Sequence, residues 1–113
     1  MAFDLENNTL NNEYYRKVIY TSENQQLVLM SITKGIEEEV HDISDQFIKI
    51  EDGNVIVRLN RTTNYYLTNG NCINIPAGTY HQVFNIGDKP CKLYTIYSPP
   101  HHKPLKLDVL ETD

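Results

Sequence analysis

The sequence predicts an all-β domain, a two-sheet sandwich or a barrel, and three observations predict it. Eight or nine short runs rich in β-branched and aromatic residues follow one another at intervals of about ten residues. Turn signals separate them, among them Thr21-Ser22-Glu23-Asn24, Asp52-Gly53, Thr68-Asn69-Gly70-Asn71 and Gly87-Asp88-Lys89-Pro90. No stretch carries the apolar period of a long amphipathic helix, and no internal repeat points to a solenoid or propeller.

Taken in order, residues 1–13 are polar and asparagine-rich without apolar period, and read as an arm that a partner subunit can order. Residues 14–97 form the barrel. Residues 14–20 (YYRKVIY) and 26–33 (QLVLMSIT) are strands, the second apolar on both faces from Leu27 to Met30 and therefore central. Glu37 to His41 make a short strand, and Gln46 to Ile50 the next. Asp52-Gly53 is a hairpin signal before 54–59 (NVIVRL). Runs 65–67 and 72–75 follow, then 80–86, and last 91–97 (CKLYTIY). The tail, 98–113, opens on two prolines that cannot continue a central strand, with Val109 and Leu110 placed to dock as a short terminal turn. The buried apolar surface is expected from Leu27, Leu29, Phe47, Ile48, Ile50, Val55, Val57, Ile73, Ile75, Val83, Leu93 and Ile96.

A chain of 113 residues suits one domain. Its 15 acidic against 10 basic residues give a net charge of −5, which offers no field for a phosphate backbone and argues against nucleic acid. The first residues lack a basic start and an apolar run, and no eighteen apolar residues occur in succession, so neither a secretion signal nor a membrane span is expected. Cys72 and Cys91 sit in strands without a CxxC neighbour, which reads as two buried free thiols in a reducing, cytoplasmic setting. The wealth of Asn, Ile and Tyr fits an AT-rich coding genome, that of a low-GC bacterium or a large DNA virus.

The chemistry concentrates in GNCINIPAGTYHQVFN, residues 70–85. Pro76-Ala77-Gly78 is a turn in which proline fixes one backbone angle and glycine supplies the freedom for the next bend. His81 then opens a strand, held by backbone on both sides as a metal ligand must be. Upstream, Glu39 and His41 alternate onto one strand face, so that a carboxylate and an imidazole are presented together. Glu37 and Glu38 read as a solvated edge.

These residues resemble the two motifs of the cupins, small double-stranded β-helix (jelly-roll) barrels. Every position of the second motif is matched, from Gly70 through Pro76 and Gly78 to His81 and Asn85. In the first, Glu39 stands where a His is usual, His41 is the second His, Gln46 replaces a Glu, and Gly53 keeps its spacing. The 16 residues between Gly53 and Gly70 suit a compact member, and the likeness covers about residues 25 to 97. It points to a single-domain cupin of the subgroup with Glu-x-His and Asp-Gln-Phe, described by loose likeness to mannose-6-phosphate isomerases. The resemblance implies a divalent metal (Fe, Mn, Ni or Zn) at Glu39, His41 and His81, with Gln46 either a weak fourth ligand or a hydrogen-bonding residue that orients one. Phe47, Tyr80 and Tyr94 are the candidate substrate contacts, with Tyr97 an alternative hydroxyl donor. His101-His102 is either a lid over the barrel mouth or an exposed tail, and the tail is favoured because adjacent residues on an extended chain point apart.

Three functions remain open. The first is a metal-dependent oxygenase acting on a small molecule. The second is a sugar or sugar-phosphate isomerase, for which Lys49, Arg58 and Arg61 are the cationic candidates. The third is a non-catalytic ligand-binding or interaction cupin with a decayed site. A homodimer through the edge run 14–20 and the arm is expected, with a small-molecule ligand, no nucleic acid and no membrane as partners.

Overall fold

The computed structural model describes residues 2–111 as a short helix and ten strands in two facing sheets. The order is α1 (Leu5–Asn11), β1 (Arg16–Thr21), β2 (Gln26–Ile32), β3 (Gly35–Glu39), β4 (Asp45–Asp52), β5 (Asn54–Leu59), β6 (Thr63–Thr68), β7 (Cys72–Ile75), β8 (His81–Asn85), β9 (Cys91–Ser98) and β10 (Leu107–Asp108). One sheet runs β10-β1-β2-β9-β4-β7, the other β3-β8-β5-β6, and every pairing is antiparallel. This is the all-β architecture that the spacing of strands and turns predicts, in the double-stranded β-helix form that the cupin resemblance implies.

The core lies between the sheets. Val28, Met30 and Ile32 of β2, Ile48 and Ile50 of β4, Val55 and Val57 of β5, Val83 of β8 and Cys91, Leu93 and Tyr97 of β9 all point into it. Because side chains alternate, Leu27, Leu29, Phe47, Tyr94 and Ile96 occupy the opposite face of the large sheet. There Leu27 and Ile96 lie beside Phe3 and Leu5, and Phe47 beside Tyr94. Leu27, Phe47, Ile73 and Ile96 are only half-buried, a correction to the expected core. A strand that is apolar on both faces does not announce which face turns inward.

The N-terminal stretch is a second correction. Residues expected as an arm without an element form α1, which packs on the outer face of β9, β4 and β2. Seven residues are too few to hold a helix by propensity alone. Docking supplies the difference: Thr9 is fully buried and its hydroxyl donates to the Leu5 carbonyl, and the Lys92 ammonium donates to the Asn12 carbonyl at 2.6 Å. The other end of the chain is also tied down. β10 pairs with β1, and the Glu111 carboxylate accepts N–H bonds from Thr33, Lys34 and Gly35 at the β2–β3 turn.

Both cysteines are free, as expected, but Cys72 is exposed, on the outer face of an edge strand. Cys91 is buried, and burial, reinforced by the Asp52 carboxylate, pushes its thiol up to about 12. Gly53 lies against it. The glycine turns the β4–β5 hairpin at φ 135°, and a Cβ there would stand 2.9 Å from the Cys91 Cα. Gly53→Ala is therefore expected to destabilise the fold by about 2 to 4 kcal/mol, from backbone strain and overpacking together. A denaturant midpoint equal to that of the unsubstituted protein would contradict this account.

Candidate metal centre

The pairing of β3 with β8 sets Glu39 directly opposite His81. His41 lies two residues past the end of β3, so strand alternation alone does not aim it. What holds it is the turn before β8. The Gly78 N–H donates to the His41 carbonyl at 2.8 Å, and the Ala77 N–H donates to the Asp45 carboxylate at 2.8 Å. Gly78 adopts φ 83°, a conformation suited to glycine. The two sequence motifs are thus joined through backbone hydrogen bonds, and their three side chains converge.

Glu39 Oε1 lies 3.2 Å from His81 Nε2 and 3.3 Å from His41 Nε2. The ligating atoms of Glu39, His41 and His81 all fall within 4.8 Å of one another, and they form a group able to hold a metal ion. His81 is 1% exposed and His41 5%, whereas the Glu39 side chain keeps 32% of its surface open at the barrel mouth. Burial penalises the Glu39 charge, but the imidazoles of His41 and His81 outweigh it and hold the carboxyl well below the usual range.

The nitrogen assignments favour a cation. His81 Nδ1 is 3.1 Å from the Thr79 carbonyl and donates to it, so Nε2 is the nitrogen that faces Glu39 at 3.2 Å. A nitrogen and a carboxylate oxygen hold that distance with a proton between them in the metal-free protein, a place that a metal ion can take. His41 Nδ1, buried, has no partner among the described residues, and Nε2 meets Glu39 as an ion-pair contact at 3.3 Å without hydrogen-bond alignment. Ligands about 2.0 to 2.1 Å from one metal sit about 3.0 to 3.4 Å apart, the spacing observed around Glu39. The donor set therefore fits a divalent ion.

Gln46, 1% exposed, faces the same interior from β4. Its Nε2 donates to Thr95 Oγ1 at 3.1 Å and to Tyr97 Oη at 3.2 Å, which leaves Oε1 buried and unpartnered among the described residues. The Tyr97 ring in turn packs edge-on against His41. Burial, then the Glu39 charge, pushes the Tyr97 phenol well above its ordinary range, and the hydroxyl keeps its proton.

Phe47 and Tyr94 do not join this group: alternation puts them on the outer face, where they pack on each other. Tyr80 is exposed beneath the Arg61 guanidinium. The cations considered for a phosphate are engaged elsewhere, Lys49 with Glu51, Arg58 with Asn64 and over the Phe84 ring, and Arg61 with Glu38. Asn85 bonds the Ile32 and Lys89 carbonyls at the end of β8.

The tail corrects the sequence reading. Residues 99–102 cross the barrel mouth, with the His101 ring centroid 4.0 Å from that of His41 and His102 packed edge-on against Tyr97. Burial, then the neighbouring His41, lowers the His101 pKa. Burial, then Arg16 and His101, pushes His102 down to about 3. Gln26, Ser44 and Thr79, which position the tail and the site, carried no motif signal.

A barrel of two antiparallel sheets with a Glu-His-His group at its mouth defines a small cupin. The family model described as Cupin domain matches residues 27–97, and the chain belongs to that family. It is 51% identical over 106 residues to the uncharacterized protein L612 of Acanthamoeba polyphaga mimivirus, a match covering 89% of this chain and 66% of the relative. It is 38% identical over 101 residues to the uncharacterized protein YrkC of Bacillus subtilis, covering 83% of this chain and 54% of the relative. The chain thus spans two thirds or less of the length of these curated relatives. The crystal structure of BH2720 from Bacillus halodurans superposes with a TM-score of 0.93 at 34% identity, over 96% of this chain and 88% of that one.

His81→Ala is expected to abolish stoichiometric metal uptake, read by elemental analysis after loading; equal metal in both proteins would remove the site. A second test concerns the metal-free protein. A carboxyl whose folded pKa is depressed contributes stability that is fully present above its unfolded value of about 4.3 and is lost as pH falls through the folded value. The stability gap between the metal-free protein and Glu39→Gln should accordingly be full at neutral pH and shrink in acid. A gap that does not change with pH would show that Glu39 is not held ionised by the two imidazoles.

Proposed function

We propose that this cupin is a metal-dependent enzyme of the dioxygenase kind, acting on a small polar or phenolic molecule at the barrel mouth. The observation that carries this reading is the convergence of one carboxylate and two buried imidazoles, one of them without any hydrogen-bond partner among the described residues. A two-His, one-carboxylate set leaves positions open and suits Fe(II) and its neighbours, with Mn, Ni and Zn as alternatives. Bound there, such an ion supplies Lewis-acid polarisation and, for the redox metals, electron transfer to O₂.

The protein's own part is orientation and charge. Thr79 fixes the His81 tautomer through its carbonyl. Glu39 brings one negative charge close to both imidazoles. Gln46 is held by its amide nitrogen, so its free carbonyl oxygen is available to accept a hydrogen bond from substrate or water. Tyr97 accepts from Gln46 and keeps its own O–H to donate. The placement of Lys49, Arg58 and Arg61 gives no support to a sugar-phosphate isomerase.

A second reading, a barrel that binds a ligand without turnover, draws support from the tail that covers the mouth. Anaerobic reconstitution with Fe(II), Mn(II), Ni(II) or Zn(II), native mass spectrometry, and O₂ uptake against catechols, diketones and thiols separate the two. Substrate-dependent O₂ consumption supports the oxygenase; a metal-loaded protein that consumes none with any substrate leaves the binding role.

We further propose a homodimer. The edge run expected for it is covered, since β10 pairs with β1 and the N-terminal residues dock on their own barrel; the support left is the apolar surface that Leu107, Val109 and Leu110 expose on and beside β10. Sedimentation at micromolar concentration should give twice the chain mass, and a monomer would refute it. Among the described residues no helix is long and apolar enough to cross a membrane. Two free cysteines support a cytoplasmic setting.

A further inference from the structure

The protein has four histidines, and all four meet at one place. The ring centroids run His81 to His41 at 5.1 Å, His41 to His101 at 4.0 Å and His101 to His102 at 4.6 Å. Two of them come from the barrel motifs and two from a tail segment about sixty residues away from His41 and twenty from His81. A tail that merely covered apolar surface would not need to bring imidazoles onto an imidazole pair.

The segment is built into the barrel. Gln26, fully buried on the inner face of β2, accepts the N–H groups of His101 and His102 at 3.2 and 2.8 Å through Oε1. Its Nε2 donates to the His102 carbonyl at 2.7 Å and to Thr21 Oγ1 at 3.0 Å. Ser44, also buried, donates to the Pro99 carbonyl at 2.8 Å. Backbone atoms of the strap are thereby fixed, while the His101 ring packs on His41 and takes part in none of these bonds, and the residue keeps part of its surface open. The His102 ring packs on Tyr97 and His101 instead, and no contact brings it to His41.

We propose that the C-terminal strap completes the metal centre and that His101 is its fourth protein ligand. This rests on the metal reading of Glu39, His41 and His81. The donor atoms of those three already lie within 4.8 Å of one another; His101 stands outside that group as it is placed, with its ring 4.0 Å from that of His41, so a turn of its side chain is what would bring a nitrogen to the ion. A strap ligand closes one of the open positions and couples metal retention to the anchoring of the tail by Gln26. The buried amide of Gln26, with its four hydrogen bonds spent on backbone and one hydroxyl, acts here as a positioning residue.

The test uses the full chain loaded with Cu(II) or Zn(II). His101→Phe keeps a ring against His41 and removes the nitrogen donor; His102→Ala removes the neighbouring imidazole while its backbone still holds Gln26. Pulsed electron paramagnetic resonance of the copper forms counts coordinated imidazoles. Three are expected in the unsubstituted protein and in His102→Ala, and two in His101→Phe, with zinc affinity of His101→Phe lower by about tenfold or more. Two imidazoles in all three proteins would overturn the role of His101 and leave the three-residue centre intact. No stoichiometric uptake by the unsubstituted protein would overturn the metal reading and this inference with it.

Discussion

The site depends on one carboxylate shared between two imidazoles. Glu39 and His81 face each other because β3 and β8 pair in that register, and His41 arrives because its carbonyl is bonded to the Gly78 amide. Removing any of these would leave a buried, charged or unpaired group at the barrel mouth, which is costly in a low-dielectric setting. The register of two strands and a single backbone hydrogen bond therefore decide whether a Glu-His-His group exists at all.

Around that core the barrel sorts its side chains by face. The inner face of β4 and β9 carries Gln46, Thr95 and Tyr97, a polar file that leads to His41, among otherwise apolar residues. A file of this kind is tolerable inside a barrel because its members bond one another, with Gln46 Oε1 left unpartnered among the described residues. The outer face carries Phe47, Tyr94, Leu27 and Ile96, where α1 and the N-terminal residues cover them in part. Phe47 and Tyr94, near a motif in sequence, are thus not its neighbours in space, and the rings beside His41 are those of His81, Tyr97 and His101.

The closure of the mouth links the two ends of the chain to the chemistry. The N-terminal helix braces the outer face of the large sheet, Glu111 fastens the turn before β3, and Gln26 fastens the strap over His41. Each of these ties joins residues distant in sequence, so disturbing a terminus would reach the centre through strand positions rather than through direct contact.

Strand spacing, the Asp52-Gly53 hairpin and the run from Gly70 to Asn85 were legible in the sequence by themselves. These are local: turn residues impose backbone angles within three or four positions, and alternation assigns side chains to faces two by two. The pairing of Glu39, His41 and His81 was legible too, through the resemblance of both motifs to the cupins. Only the tertiary structure decided which face of β2 turns inward, since Leu27 to Met30 is apolar on both. It alone made a helix of Leu5–Asn11, whose stability comes from docking rather than from propensity. It alone, finally, laid His101 on His41, because hydrogen bonds that a tail donates to a buried glutamine some seventy-five residues away leave no local pattern to read.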